Sequence, residues 1–110
     1  MKTIDVLIKA RKIVHTGWFQ GNYSNRGQTR YCILGAVCKA SGLGPQAFPA
    51  GVAAKACEYI RGVVGYKISE FNDDPFRTNT EVLAAMDQAI KNAKRRHKNG
   101  KRYANAANAF

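Results

Sequence analysis

Basic residues are concentrated near the C-terminus of this 110-residue chain. Seven of its eighteen lysines and arginines fall within twelve positions, namely Lys91, Lys94, Arg95, Arg96, Lys98, Lys101 and Arg102. Such a cluster attracts phosphate groups and displaces their counterions, which is how proteins bind nucleic-acid backbones. Arg26 and Arg30 lie among aromatic residues, and arginine and aromatic side chains together stack on unpaired bases. We predict that these residues bind DNA or structured RNA with little preference for sequence.

The whole chain is strongly basic, with a formal net charge of +11. A field of one sign also accelerates association with an acidic protein. A second hypothesis is therefore an inhibitor or modulator that binds a host protein or a ribonucleoprotein complex. The alternative without a binding function is a highly soluble protein with a charged face.

Cys32 is the one candidate nucleophile. We expect it in the first turn of a helix over residues 29–41, where the helix N-terminus can lower the pKa of a thiol. The general base that activates the thiol would have to be His15 or His97, and the spacing of neither histidine from Cys32 supports such a pair. A cysteine-dependent enzyme using Cys32 is a third hypothesis, but we assign no catalytic residue. The alternative is a purely structural role, in which all three cysteines are small buried side chains, namely Cys32, Cys38 and Cys57.

Metal and cofactor chemistry have little support in the pattern of residues. The three cysteines match neither a zinc site nor a small disulfide scaffold. Asp73 and Asp74 precede Pro75, and this spacing is typical of a turn over residues 71–77. No second acidic or histidine cluster completes a metal site. We therefore expect no metal and no cofactor.

The elements that must position these residues are helices. Apolar residues recur at helical spacing over residues 3–15, 29–41 and 49–64, and again after Thr78. Thr78 and Glu81 have the spacing of a capping box, which marks a helix start. The apolar face of that last helix consists of Val82, Leu83, Met86, Ala89, Ile90 and Ala93. We assign residues 65–71 to a short extended segment.

Residues 17–31 form an aromatic and glycine-rich segment, which we expect to be a compact ordered loop or a short hairpin. Trp18 and Phe19 are expected to point inward, because large apolar side chains in small domains usually do. Tyr23, Arg26 and Arg30 are expected to be exposed.

These segments predict a mainly α protein, a small single-domain bundle of about four helices. We divide it into a helical core over residues 1–93 and a basic C-terminal extension over residues 94–110, of which residues 100–110 are expected to be flexible when free. The sequence holds no apolar run long enough for a bilayer span and no signal-like N-terminus, so we expect a cytoplasmic protein. It leaves open whether the protein is a monomer or a dimer.

Two segments together resemble a family of small bacterial and phage proteins of unknown function, DUF6197. The first contains Gly17, Trp18, Gly21 and residues 31–37. The second contains residues 71–75, Thr78, residues 81–83 and residues 86–89. The likeness spans residues 6–93, with Phe71 where the family more often has tryptophan or another aromatic. It implies a shared fold, no established activity, and an origin in a phage or prophage of a bacterial host.

Overall fold

The computed structural model describes residues 2–44 and 47–99, with side chains described as far as residue 96. Five helices form in this part of the chain: α1 (Thr3–Thr16), α2 (Ile33–Ala40), α3 (Val52–Val64), α4 (Ile68–Asp73) and α5 (Asn79–Asn99). The mainly α prediction is confirmed, with one helix more than expected. No strand is formed within these residues.

One apolar core joins all five helices. Helix α1 packs against α2, α3 and α5, while α3 also packs against α4 and α5. The inner faces of α1 and α5 repeat every three or four residues, as an amphipathic helix requires. Their buried members are Val6, Leu7, Ala10 and Val14 on α1, and Val82, Ala85, Met86, Ala89 and Ala93 on α5.

The loop that follows α1 also contacts the segment that precedes α5. The Gln20 side chain donates to the carbonyl oxygens of Asn72 and Asp74 at 3.0 and 2.8 Å. Near the middle of both helices, Arg11 pairs with Asp87 at 2.9 Å. Helices α1 and α5 are therefore antiparallel. We call the end of the molecule that holds the α1 C-terminus, α4 and the α5 N-terminus the motif end.

Helix α4 corrects the sequence-based expectation of an extended segment. Residues 65–71 show some alternation of apolar and polar residues, which favoured that interpretation. In the structure Ile68, Phe71 and Asn72 are buried at helical spacing on one face of α4. The turn over residues 71–77 is correspondingly shorter, and residues 74–78 connect the two helices. Packing against the core decides the conformation of so short a segment.

The start of α5 confirms the capping box. The Thr78 hydroxyl accepts the Glu81 N–H at 3.2 Å, and the Glu81 carboxylate accepts the Thr78 N–H at 2.9 Å. This second bond, from the Thr78 N–H, lowers the pKa of Glu81. The N-terminal end of α5 is therefore fixed at the motif end.

The ends of three helices differ from those predicted from the sequence. Helix α2 begins four residues later than expected, with Cys32 as its N-cap, and α3 begins at Val52 rather than at Pro49. Helix α5 continues past residue 93 to Asn99 without a break. The predicted extension over residues 94–110 otherwise lies outside the described residues. Among the helices of the described ranges, none has both the length and the apolarity that crossing a bilayer requires.

Candidate functional site

The aromatic loop of residues 17–31 is folded back on itself by backbone hydrogen bonds. Tyr31 donates its N–H to the Gly17 carbonyl at 2.9 Å and accepts the Phe19 N–H at 3.1 Å. The Cys32 N–H donates to the Tyr23 carbonyl at 3.1 Å. The expectation of a compact ordered loop is confirmed.

Asn72 on α4 is the centre of the motif end. Its side chain is almost fully buried, with 1% of its surface exposed. The Oδ1 atom accepts the Trp18 indole N–H at 2.8 Å and the Ile33 backbone N–H at 3.1 Å. The Nδ2 group donates to the Phe19 carbonyl at 3.0 Å and to Asp73 Oδ1 at 2.8 Å. An asparagine amide offers two donors and two acceptor positions, so all four are used.

Asp73 extends this network to the glycine turn of the loop. Its Oδ1 atom also accepts the Gly21 N–H at 3.0 Å. Gly21 has a positive φ of 92°, a conformation that favours glycine. The two segments of the chain that carry the family resemblance are therefore bonded directly to each other. The sequence did not predict this role of Asn72, because Asn72 and Asp73 before Pro75 are typical of a local turn.

A cavity of about 160 Å³ opens beside this network. Its apolar wall includes Leu34 and Cys32, and its polar side includes Asp73 and the turn at Gly21. Tyr23 also lines it and is half-buried rather than exposed as expected. Burial, which disfavours the charged phenolate, raises the pKa of Tyr23.

The Cys32 thiol does not have the lowered pKa expected for a nucleophile. Burial raises the pKa of Cys32 to about 11, although the N–H groups of Gly35 and Leu34 favour the thiolate. The Sγ atom instead accepts the Gly35 N–H at 3.3 Å and caps α2. All three cysteines are buried and free, as a purely structural role predicts. An activity that depends on Cys32 stays an untested prediction.

The side chains of Trp18 and Phe19 are partly buried, in agreement with the inward orientation that we expected. Trp18 packs against the core through its ring, and its N–H is bonded to Asn72. Phe19 is half-buried, and the Arg30 guanidinium lies 5.3 Å from the centre of its ring. Arg26 and Arg30 are exposed, as predicted. Arg30 therefore lies beside an aromatic ring at the motif end.

A second region lies on the C-terminal half of α5. Lys91, Lys94 and Arg95 are exposed and follow the spacing i, i+3, i+4, which places them on one helical face. We call these three residues the basic stripe. The buried Ala89 and Ala93 are each two positions from Lys91, or about 200° around the helix. The basic stripe therefore lies opposite the core.

The other predicted basic residues do not join the stripe. Arg96 is half-buried and lies at a different angle on α5. The side chain of Lys98, together with Lys101 and Arg102, lies outside the described part of the chain. Arg26 and Arg30 are at the motif end, whereas the stripe follows Asp87 toward the opposite end of α5. The predicted nucleic-acid residues thus form two separate groups.

The described side chains include no group of three or more His, Cys, Asp or Glu residues that could hold a metal ion. The Oδ1 atom of Asp73 instead accepts N–H groups of Gly21 and Asn72.

Comparison with known proteins identifies the family. Residues 1–92 match the model of the Family of unknown function (DUF6197). No curated protein and no solved structure matches the chain. The match covers both segments that meet at Asn72 and ends within the basic stripe, between Lys91 and Lys94. The chain belongs to the DUF6197 family.

Proposed function

We propose that this member of DUF6197 binds the phosphate backbone of DNA or structured RNA through the basic stripe of α5, with little preference for base sequence. Lys98, Lys101 and Arg102 continue the same basic run in the sequence. We place its action in the cytoplasm of a bacterial host, as an accessory protein of phage origin. The observation that carries the proposal is the exposure of three neighbouring cations opposite the core.

Among the described side chains, no acid is seen paired with the cations of the stripe. The ion pairs of Arg11 and Arg77 are formed with Asp87, Asp74 and Glu81, none of which contacts Lys91, Lys94 or Arg95 in these pairs. Asp87 is the last acidic residue of the sequence, and it is paired with Arg11. A phosphate that approaches the stripe therefore meets little competition from carboxylates.

The geometry of the stripe fits a polyanion. Lys91 and Arg95 are separated by one helical turn, about 6 Å along the axis. A strand of B-DNA advances about 3.4 Å per phosphate, so this turn faces about two phosphates. Contacts to phosphates carry no sequence information directly, so binding through these cations is expected to be largely independent of base sequence.

A fluorescence anisotropy titration tests the proposal with a labelled DNA duplex of random sequence and with an RNA hairpin. The variant K91Q/K94Q/R95Q removes the stripe. The control K12Q/K55Q/K67Q removes the same charge from exposed residues on other parts of the molecule. We expect the stripe variant to reduce the slope of log K against log salt by about 1.5 to 2, because the stripe faces about two phosphates and each contact contributes about 0.7 to 0.9.

The control should retain most of the slope. Binding that is absent at low salt, or that is independent of salt, would contradict the proposal. An equal loss in both variants would show that net charge alone is responsible.

Exposure of Phe76 favours a second candidate, the modulator of a host protein or ribonucleoprotein. Its side chain is 90% exposed in the connection between α4 and α5, where no other function for so large an apolar group is evident. Exposed aromatic groups often anchor protein interfaces. Capture from a nuclease-treated bacterial lysate, compared between the native protein and Phe76→Ser, tests this candidate. A partner retained by the native protein and lost by the variant would support it.

A further inference from the structure

We propose that the cavity at the motif end binds a small planar cation, such as an amidinium or a protonated heterocyclic amine, with Asp73 as its counter-ion. This function is separate from nucleic-acid binding, because the basic stripe lies toward the other end of α5. The failure of one proposal therefore leaves the other unaffected.

The volume of the cavity sets the size of the ligand. About 160 Å³ accommodates a single substituted ring but not a nucleotide or a peptide. The wall formed by Leu34 and the buried Cys32 offers an apolar surface to the face of such a ring. Since burial keeps the Cys32 thiol protonated at neutral pH, this wall is uncharged.

The polar side of the cavity selects the charge of the ligand. Asp73 is the one residue lining the cavity that bears a formal charge at neutral pH. Its Oδ1 atom is occupied by the N–H groups of Gly21 and Asn72. The residue is exposed, so its carboxylate can also accept a charged N–H donor from outside the protein.

The framework around Asp73 is already formed without a ligand. Asn72 has its four hydrogen bonds filled by the protein, so it holds the carboxylate in place rather than contacting a ligand. Binding therefore requires little reordering of the site, which favours affinity in a small pocket.

Benzamidine is a suitable probe because it joins a planar ring to an amidinium group. Its neutral and anionic counterparts, benzamide and benzoate, have nearly the same shape and serve as matched ligands. The experiment follows backbone amide NMR shifts of the ¹⁵N-labelled full chain during titration with each compound. We expect saturable shifts with benzamidine at Gly21, Tyr23, Cys32 and Asp73, and an affinity for benzamide that is at least about tenfold weaker.

Two variants test the role of the carboxylate. Asp73→Asn keeps an oxygen for Gly21 and Asn72 but removes the charge, so benzamidine binding should weaken at least about tenfold. Glu70→Gln removes a charge from an exposed position of the same helix that does not line the cavity, and should change the affinity by less than about twofold.

The proposal is overturned if benzamidine gives no saturable shifts, if the shifts lie away from the cavity, or if benzamide binds equally well. An equal loss from Glu70→Gln would likewise overturn it, because the general field and not Asp73 would then attract the probe. If Asp73→Asn does not fold, the comparison of the three compounds on the native protein decides alone.

Discussion

The motif end and the basic stripe differ in whether the protein itself supplies partners for their polar groups. At the motif end Asn72 is buried and all four of its hydrogen-bonding positions are filled from within the protein. On the stripe Lys91, Lys94 and Arg95 face solvent without an ion-pair partner among the described side chains. The first arrangement contributes to the stability of the fold, while the second leaves positive charge available to another molecule.

The distribution of acids reinforces this difference. Four of the seven acidic residues lie within residues 70–81, at the motif end, whereas none follows Asp87. Because a buried polar network is costly to interrupt and exposed charges are not, the two regions should respond very differently to substitution. The following predictions test that contrast, starting with the largest expected effect.

Replacing Asn72 by alanine should lower the free energy of unfolding by about 4 kcal/mol. The change leaves the Trp18 indole N–H, the Ile33 N–H and the Phe19 carbonyl without their buried partner. Urea denaturation measures the effect. The control is Asn92→Ala on α5, where the amide oxygen accepts exposed bonds from Gln88 and Arg95, and the expected change is within about 0.5 kcal/mol. Similar losses from both variants would remove the distinction between the regions.

Gly35→Ala should lower the free energy of unfolding by about 2 to 3 kcal/mol. A Cβ atom at this position would clash with the carbonyl group of Tyr23, which holds the loop against α2. Elsewhere in a helix the same change normally stabilises a protein, so the sign of the effect is informative. Gly27→Ala, at a position where a Cβ atom meets nothing within 4 Å, should be nearly neutral. Thermal and urea denaturation of the two variants provide the measurement, and a stabilised Gly35→Ala protein would refute the close contact.

Alkaline pH should destabilise the protein in part through Cys32. Burial raises the pKa of this thiol from its ordinary value of 9.0 to about 11. Between these values the unfolded chain has lost a proton that the folded chain retains, so the free energy of unfolding falls as pH rises. Below pH 9.0 the thiol contributes no such dependence. Urea denaturation of the native protein and of Cys32→Ala at several pH values measures this, and identical slopes above pH 9.0 would contradict it.

The stripe variant K91Q/K94Q/R95Q should change stability least, within about 0.5 kcal/mol, and in the favourable direction at low salt. Like charges three and four residues apart on a helix repel each other, and their removal relieves that repulsion. Melting temperatures at low and at high salt test this, since screening should abolish the difference. Marked destabilisation would mean that these cations support the fold, and would weaken the proposed role in binding.

Helical spacing was sufficient to predict α1, α3 and α5, because each is long enough for its apolar stripe to recur. The start of α5 was also evident, since Thr78 and Glu81 interact locally and their spacing encodes the contact. Helix α4 was missed because its six residues offer only two apolar positions, Ile68 and Phe71, which fit an extended segment as well.

The role of Asn72 could not be predicted from the neighbouring sequence, because its hydrogen-bond partners are distant along the chain. The Trp18, Phe19 and Ile33 groups that it binds are 39 to 54 residues away. The joint occurrence of the two family-like segments was the one available signal that they meet. The basic residues were found by composition, but composition could not show that Arg26 and Arg30 lie apart from the stripe.

The hydrogen bond from Trp18 to Asn72 cannot form until residue 72 has been synthesised. It closes a loop of 54 residues, so the aromatic segment gains its buried partner only after α4 has been synthesised and has docked. During translation, α1 and α2 emerge first and the indole N–H remains bonded to water until then. Because Trp18 is the single tryptophan of the chain, its fluorescence reports on the burial of this segment during folding.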